Sequence, residues 1–296
     1  MRYYQIDHQT ELRQMLTALN FFDEWAELIR ESSHDWDYLK KYYRGILDPR
    51  KKAAVDFRAL FFALRIQPVL SFIEDFIVKY QRAPYILDLG CGFGMESLLL
   101  CRVGAHLRAV DISRRKIAIA PLLQQTFETK QHVLLNISYS YANIFEFPAP
   151  EQFDAVYSSA TLHHIEPIEK ALKLIAHLVK PGGKFFLSDE NGANILQQLF
   201  VQHQLGWRTP RVGWNTDPET GLRHLCGNEN IRSAYRWKKL LEQAGLAPES
   251  IKYCRFFPPL PVTQKRLLGY ERILRSIPII TEFASIGFLL AADRPI

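Results

Sequence analysis

The stretch Tyr85-Ile86-Leu87-Asp88-Leu89-Gly90-Cys91-Gly92-Phe93-Gly94-Met95 decides the fold. A short apolar run reaches Asp88, three glycines follow with one side chain between each pair, and the residues from Met95 to Leu100 are helix formers. This order predicts a strand, a tight turn and a helix. Glycine permits backbone angles closed to other residues and lets a ligand come close, while the free N–H groups of a new helix favour an anionic group. Position 95 separates two kinds of ligand. A dinucleotide site wants Gly or Ala there so that helix and strand can approach, and this chain has Met95. Asp88, just before the loop, would repel a pyrophosphate. Both residues argue against a dinucleotide.

Beyond the loop, short apolar runs at 106–111, 137–142, 153–158 and 183–188 alternate with amphipathic stretches. This pattern predicts parallel strands joined by crossover helices. Runs at 251–256 and 286–291 complete seven strands, and a helix is expected over 231–244 with Gly245 as its stop. The expected class is therefore α/β, a Rossmann-like, mostly parallel seven-stranded sheet. Asp111 ends the second run, about 20 positions beyond Gly90, where a carboxylate can accept hydrogen bonds from ribose hydroxyls.

Residues 12–80 carry apolar side chains at helical intervals, with Pro49 and Pro68 expected to interrupt them. We expect a helical cap over 1–82 and the α/β domain over 83–296. Within that domain, 191–230 mixes Gly, Pro, Trp and Asn with little periodicity, so it is expected to be a lid inserted after the fifth strand. Residues 258–285 set Leu267, Leu268, Ile273 and Leu274 beside Lys265, Arg266, Arg272 and Arg275, a basic amphipathic insertion suited to packing on the sheet or touching a membrane surface.

Asp88-Leu89-Gly90-Cys91-Gly92-Phe93-Gly94, Val110-Asp111, Ala142-Asn143-Ile144, Phe153-Asp154-Ala155-Val156-Tyr157-Ser158 and Leu178-Val179-Lys180-Pro181-Gly182-Gly183 together resemble, in order and spacing, the successive motifs of class I S-adenosylmethionine-dependent methyltransferases of the small-molecule type. The resemblance covers residues 84–188 and implies an antiparallel last strand. It implies S-adenosyl-L-methionine as cofactor and S-adenosyl-L-homocysteine as product. Carried over by position, it implies that Asp88 meets the methionine ammonium, Gly90 and Gly92 line the methionine chain, Asp111 holds the ribose and Ile112 packs on adenine. Asn143 stands where the family usually has an Asp that bonds the adenine amino group, a bond that an Asn oxygen can also accept. Ile144 would offer its backbone N–H to the ring. Cys91, Gly94 and Ser158 fall in the same motifs and join the candidate cofactor set.

Methyl transfer from a sulfonium is an in-line displacement, so the protein must align the acceptor and exclude water. A base is needed only where the acceptor loses a proton. His163 and His164, after the fourth strand, are candidate bases because imidazole titrates near neutrality, and Glu190 after the fifth strand is a further acceptor-side candidate. Oxygen acceptors are slightly favoured on this ground. Asp189, Asn191, Tyr42 and Tyr43 are weaker candidates. Trp207, Arg208, Arg211, Trp214, Arg223 and His224 would give the lid a polar and aromatic surface for a sugar, a phosphate-bearing lipid or a polyketide-like molecule. A cyclase or isomerase that uses the sulfonium only to organise its pocket, a non-catalytic scaffold and an NAD-dependent oxidoreductase remain alternatives.

The 296 residues, 48% of them apolar, suffice for a buried core. No motif demands a metal, although His163 and nearby acids could hold one. The four cysteines form no CxxC pair, and the N-terminus lacks the pattern of a secretory signal, so reduced thiols and a cytoplasmic setting are expected. The longest apolar-rich stretch falls short of the roughly 20 residues a spanning helix needs. The net charge of +6 is scattered in small groups without a basic arm. No nucleic acid is expected, while an anionic or amphipathic small molecule and a peripheral membrane surface stay open as partners.

Overall fold

A computed structural model describes residues 8–31, 36–47, 52–147, 152–216, 221, 223–256 and 264–296. The chain divides into two compact units, Met1–Tyr141 with Phe257–Ile273, and Ala142–Phe256 with Leu274–Ile296.

The first unit opens with α1 (His8–Glu31), α2 (Trp36–Leu47) and α3 (Lys52–Tyr80). It continues with β1 (Tyr85–Leu89), α4 (Met95–Arg102), β2 (His106–Asp111), α5 (Arg114–Gln131) and β3 (Ile137–Tyr141). The strands run parallel, β1 paired with β2 and β2 with β3. Helix α1 is held by its aromatic face: Phe21 lies 6.5 Å from Phe62 of α3 and 5.6 Å from Phe127 of α5, centroid to centroid. Buried Gln14 and Gln67 satisfy each other and Ser71, so polar groups inside the helical layer are paired. Charged pairs Glu24–Arg102 and Glu31–Lys130 tie α1 to α4 and α5.

The expected break at Pro68 does not occur. Helix α3 runs through it. The ring removes one backbone donor, but Ile66, Val69, Leu70 and Ile73 around it are all buried, and tertiary burial outweighs the local penalty. Pro49 lies outside the described residues.

The second unit contains β4 (Phe153–Ser159), α6 (Ile168–Leu178), β5 (Val179–Glu190), α7 (Ile195–Leu205), β6 (Val212–Thr216), β7 (Arg223–Gly227), α8 (Ala234–Gln243) and β8 (Ala247–Cys254). Helix α9 (Gln264–Arg275) straddles the division, and α10 (Pro278–Ala284) and β9 (Gly287–Asp293) end the chain. Strand β4 is buried along its whole length and pairs with β5 in parallel. Strand β9 is antiparallel to both β5 and β8. Helix α6 buries Ile168, Ala171, Leu172 and Ile175 on one stripe. Helix α8 starts at Ser233, whose hydroxyl accepts from Arg236 N, and stops before Gly245 at φ +87°.

The strand order is β3-β2-β1 in the first unit and β4-β5-β9-β8 in the second, seven strands in all. This is the expected α/β class with a reversed last strand. The described residues of 191–230 hold more regular structure than their composition suggests. They form α7 and a separate antiparallel hairpin, β6-β7. The amphipathic insertion over 258–285 resolves into α9 and α10, with 257–263 outside the described residues.

Candidate functional site

In the first unit, the loop after β1 turns through Gly90, Gly92 and Gly94 at φ +84°, +59° and +82°, angles that only glycine adopts without strain. Gly90 N and Cys91 N both donate to the carbonyl of Val110, at 2.8 and 3.0 Å. Gly92 N donates to Asp111 Oδ2 at 2.9 Å, and Ser113 N donates to Asp111 Oδ1 at 2.8 Å. The buried Asp111 carboxylate thus fastens the end of β2 to the glycine loop, and each oxygen keeps a second lone pair for a ligand. Ile112 beside it is 51% exposed, an apolar side chain left facing solvent.

Asp88 is buried and accepts a 2.5 Å bond from the Ser97 hydroxyl. Burial pushes its carboxyl up to about 8, the charges of Glu96 and Asp111 add to this, and the Ser97 bond opposes it. Burial likewise raises the Cys91 thiol well above its ordinary value. Phe93, inside the loop, packs against Tyr38, Tyr42 and Tyr43 of α2 with centroids 5.7, 5.1 and 5.7 Å away. Tyr42 and Tyr43, the weaker acceptor-side candidates in the helical cap, therefore grip the loop itself. Tyr139 backs Gly94 so closely that a Cβ there would stand 2.5 Å from the phenol oxygen.

In the second unit, Asn143 caps the 3-10 turn Ile144–Glu146, its Oδ1 accepting from Phe145 N at 3.1 Å. Ile144 and Ser158 are buried. After β4 the chain passes Ala160 at φ +47°, a strained angle for a residue with a side chain, and enters the 3-10 turn Leu162–His164. His163 is buried with Nδ1 2.5 Å from Asp189 Oδ1. A carboxylate only accepts, so Nδ1 carries the hydrogen and, in the neutral ring, Nε2 carries the lone pair. His163 Nε2 lies 3.0 Å from His164 Nε2 and 3.5 Å from Glu229 Oε2. Burial lowers the basicity of His163, but Asp189, Glu229 and Glu190 outweigh it and leave the imidazole more basic than usual. His164 is shifted the other way, by burial and then by His163. Glu190 is half-buried, bonded through Oε2 to Gln197 at 2.6 Å, and raised chiefly by burial.

Within this unit the fold brings His163, His164 and Asp189 together with Glu229, while Glu190 turns toward α7. The role of Glu229 was not legible, because nothing local in Gly227-Asn228-Glu229-Asn230 signals a return to residue 163. The return is tight: Asn230 N donates to His163 O at 3.1 Å, and a Cβ on Gly227 would stand 2.0 Å from that same oxygen. Arg211, expected on a recognition surface, instead holds the insertion together by donating to Glu229 O and Gln198 O. Trp207 and Trp214 do lie exposed.

A glycine loop after the first strand, an acid closing the second and a reversed last strand define a nucleotide-binding α/β protein of methyltransferase type. Residues 87–187 match the family described as Methyltransferase domain. A ubiquinone biosynthesis O-methyltransferase of Aeromonas salmonicida is 34% identical over 106 residues, 36% of this chain and 43% of that protein. One of Coxiella burnetii is 35% identical over 128 residues, 43% of this chain and 51% of that protein. The chain thus spans about half or less of these relatives' length. Among solved structures, a geranyl diphosphate methyltransferase in complex with S-adenosylmethionine aligns with a TM-score of 0.54 at 13% identity, over 85% of this chain and 94% of that one. A methyltransferase from Methanosarcina mazei aligns at 0.52 and 20% identity, over 74% and 97%.

Proposed function

We propose that this protein transfers a methyl group from S-adenosylmethionine to an oxygen of a small-molecule acceptor. The observation that carries the reading is the Asp111 carboxylate, which holds the glycine loop through Gly92 N and keeps lone pairs for a ribose. In this reading Asp88, Gly90, Cys91, Gly92, Gly94, Asp111, Ile112, Asn143, Ile144 and Ser158 form the cofactor set. Asp88 sits where an ammonium group would draw off its proton, and Ile112 offers an apolar face to adenine.

The oxygen preference rests on the His163–Asp189 pair. With Nδ1 bound to Asp189, Nε2 is a lone pair available to an acceptor hydroxyl, and the carboxylate stabilises the imidazolium that forms. His164 and Glu190 are supporting acceptor-side groups. The curated relatives are named O-methyltransferases, which agrees with this preference. An anionic or amphipathic acceptor suits the net charge of +6. The free cysteines fit a cytoplasmic setting. Among the described residues no helix is long and apolar enough to cross a membrane, so contact with a lipid-linked acceptor would be peripheral. We assign 1–82 as a cap and 191–230 as the segment that selects the acceptor.

Calorimetry with S-adenosylmethionine and S-adenosylhomocysteine tests the donor. Incubation with methyl-labelled donor and a pool of hydroxylated metabolites, followed by mass spectrometry, tests the acceptor. Binding is expected for both nucleosides, and label is expected on a hydroxyl oxygen. Absence of binding refutes the reading. Turnover of an acceptor without gain of a methyl group would favour a cyclase or isomerase.

A further inference from the structure

His163, His164 and Glu229 offer ligand atoms that all lie within 4.8 Å of one another. Their hydrogen-bonding partners fix which atoms carry hydrogens. His163 Nδ1 faces the Asp189 carboxylate at 2.5 Å, and His164 Nδ1 faces the Gly227 carbonyl at 3.4 Å. Both partners can only accept, so each neutral ring places its one hydrogen on Nδ1. The two Nε2 lone pairs then confront each other across 3.0 Å. Glu229 adds Oε2 at 3.5 Å from His163 Nε2 and Oε1 at 3.7 Å from His164 Nε2. With both rings neutral, three acceptors converge here with no donor between them among the described residues. They repel one another until a proton or a metal cation sits among them.

The spacing suits a metal ion. Ligands about 2.0 to 2.1 Å from zinc stand about 3.4 Å apart at tetrahedral angles, close to the separations observed. The surroundings suit it as well. Asp189 behind His163 makes the carboxylate–histidine support that orients metal-binding imidazoles. The Gly227 carbonyl does the same for His164. Glu229 is carried at φ +49° with its own carbonyl fixed by Arg211. His163 is buried, whereas the side chains of His164 and Glu229 are 50% and 41% exposed, so the site has a solvent side.

We infer that His163 Nε2, His164 Nε2 and a Glu229 carboxylate oxygen bind a divalent cation of the zinc class, with at least one coordination position open to water or a hydroxyl-bearing ligand. Three protein ligands and an open position are the pattern of a reactive site, not a closed structural one. The inference goes beyond the methyl-transfer reading and stands without it. It also alters that reading, because one Nε2 cannot hold a cation and accept a proton together. In the loaded protein the cation, by lowering the pKa of a bound hydroxyl so that its proton passes to water, would take over the part given to His163.

The test uses the full chain, stripped with a chelator and titrated with Co²⁺, then with Zn²⁺. One equivalent of metal retained after desalting is expected, together with the visible absorption band of low-coordinate cobalt. His164→Ala and Glu229→Gln, both at partly exposed side chains, are expected to weaken uptake tenfold or more with unchanged melting temperatures in the metal-free state. Asp189→Asn is expected to weaken it about 10-fold to 100-fold. Failure of the native chain to retain cobalt overturns the inference, as does equal retention by Glu229→Gln and His164→Ala. A chain that binds cobalt through these residues but transfers no methyl group refutes only the functional reading.

Discussion

The backbone N–H of Gly92 donates to Asp111 Oδ2 across 2.9 Å, so the acid at the end of the second strand shapes the very loop that a nucleoside would lie against. Replacing it removes a charged acceptor from two backbone donors at once. Asp111→Ala is expected to cost about 1 to 3 kcal/mol of stability and to lower affinity for S-adenosylhomocysteine at least tenfold. Asp111→Asn, which keeps one acceptor oxygen, should fall between. Thermal melting and calorimetry on both variants measure this, and unchanged affinity in Asp111→Ala would remove the residue from the cofactor set.

Asp88 gives a pH dependence of definite sign. Its carboxyl is raised to about 8, so the folded chain holds the proton more tightly than the unfolded one. Its stabilising contribution is complete below about pH 4 and is lost as pH rises through about 8. Asp88→Asn, which cannot ionise, should therefore gain in melting temperature relative to the native chain between about pH 5 and pH 9. A difference that stays constant over that range would mean the carboxyl is already ionised at the lower pH.

Gly94 has both a left-handed backbone and a phenol at its back. Gly94→Ala would place a Cβ 2.5 Å from Tyr139 Oη at φ +82°, and a loss of about 1 to 3 kcal/mol is expected. Tyr139→Phe alone should be neutral or slightly stabilising, because its buried hydroxyl has no hydrogen-bond partner among the described residues. Combined with Gly94→Ala, it should restore part of the loss. Denaturant melts of the two single variants and the double variant measure the coupling.

The acceptor side and the donor side can be separated by one carboxylate. Asp189→Asn is expected to lower turnover about 100-fold or more while leaving S-adenosylhomocysteine affinity within about twofold, a difference near the usual scatter of such comparisons. Equal losses in both would mean that the substitution disturbs the fold and not the reacting pair.

The strands nearest the glycine loop were legible because pattern and structure there share a cause. Tyr85–Leu89 and His106–Asp111 are short, apolar and bounded by turn residues, and burial is what makes them strands. Pro68 misled because a local steric rule says nothing about the core packed around α3. The hairpin of β6 and β7 stayed hidden because its residues Val212–Thr216 are mostly exposed, so burial imposed no apolar alternation on them. The convergence of His163, Asp189 and Glu229 depends on contacts 26 and more positions apart. Residue types alone suggest such candidates but cannot pair them.

The fit of Gly227 against the His163 carbonyl reaches beyond the turn it permits. Cys226 also bridges to Ile165, and Asn230 bonds the His163 backbone, so the hairpin and the residues just after it are fastened to the main chain at 163 and 165. Change in the hairpin is therefore felt at position 163 through the main chain, whatever side chains it carries. The exposed surface of the inserted segment and the placement of His163 are one mechanical part, and redesigning the first would move the second.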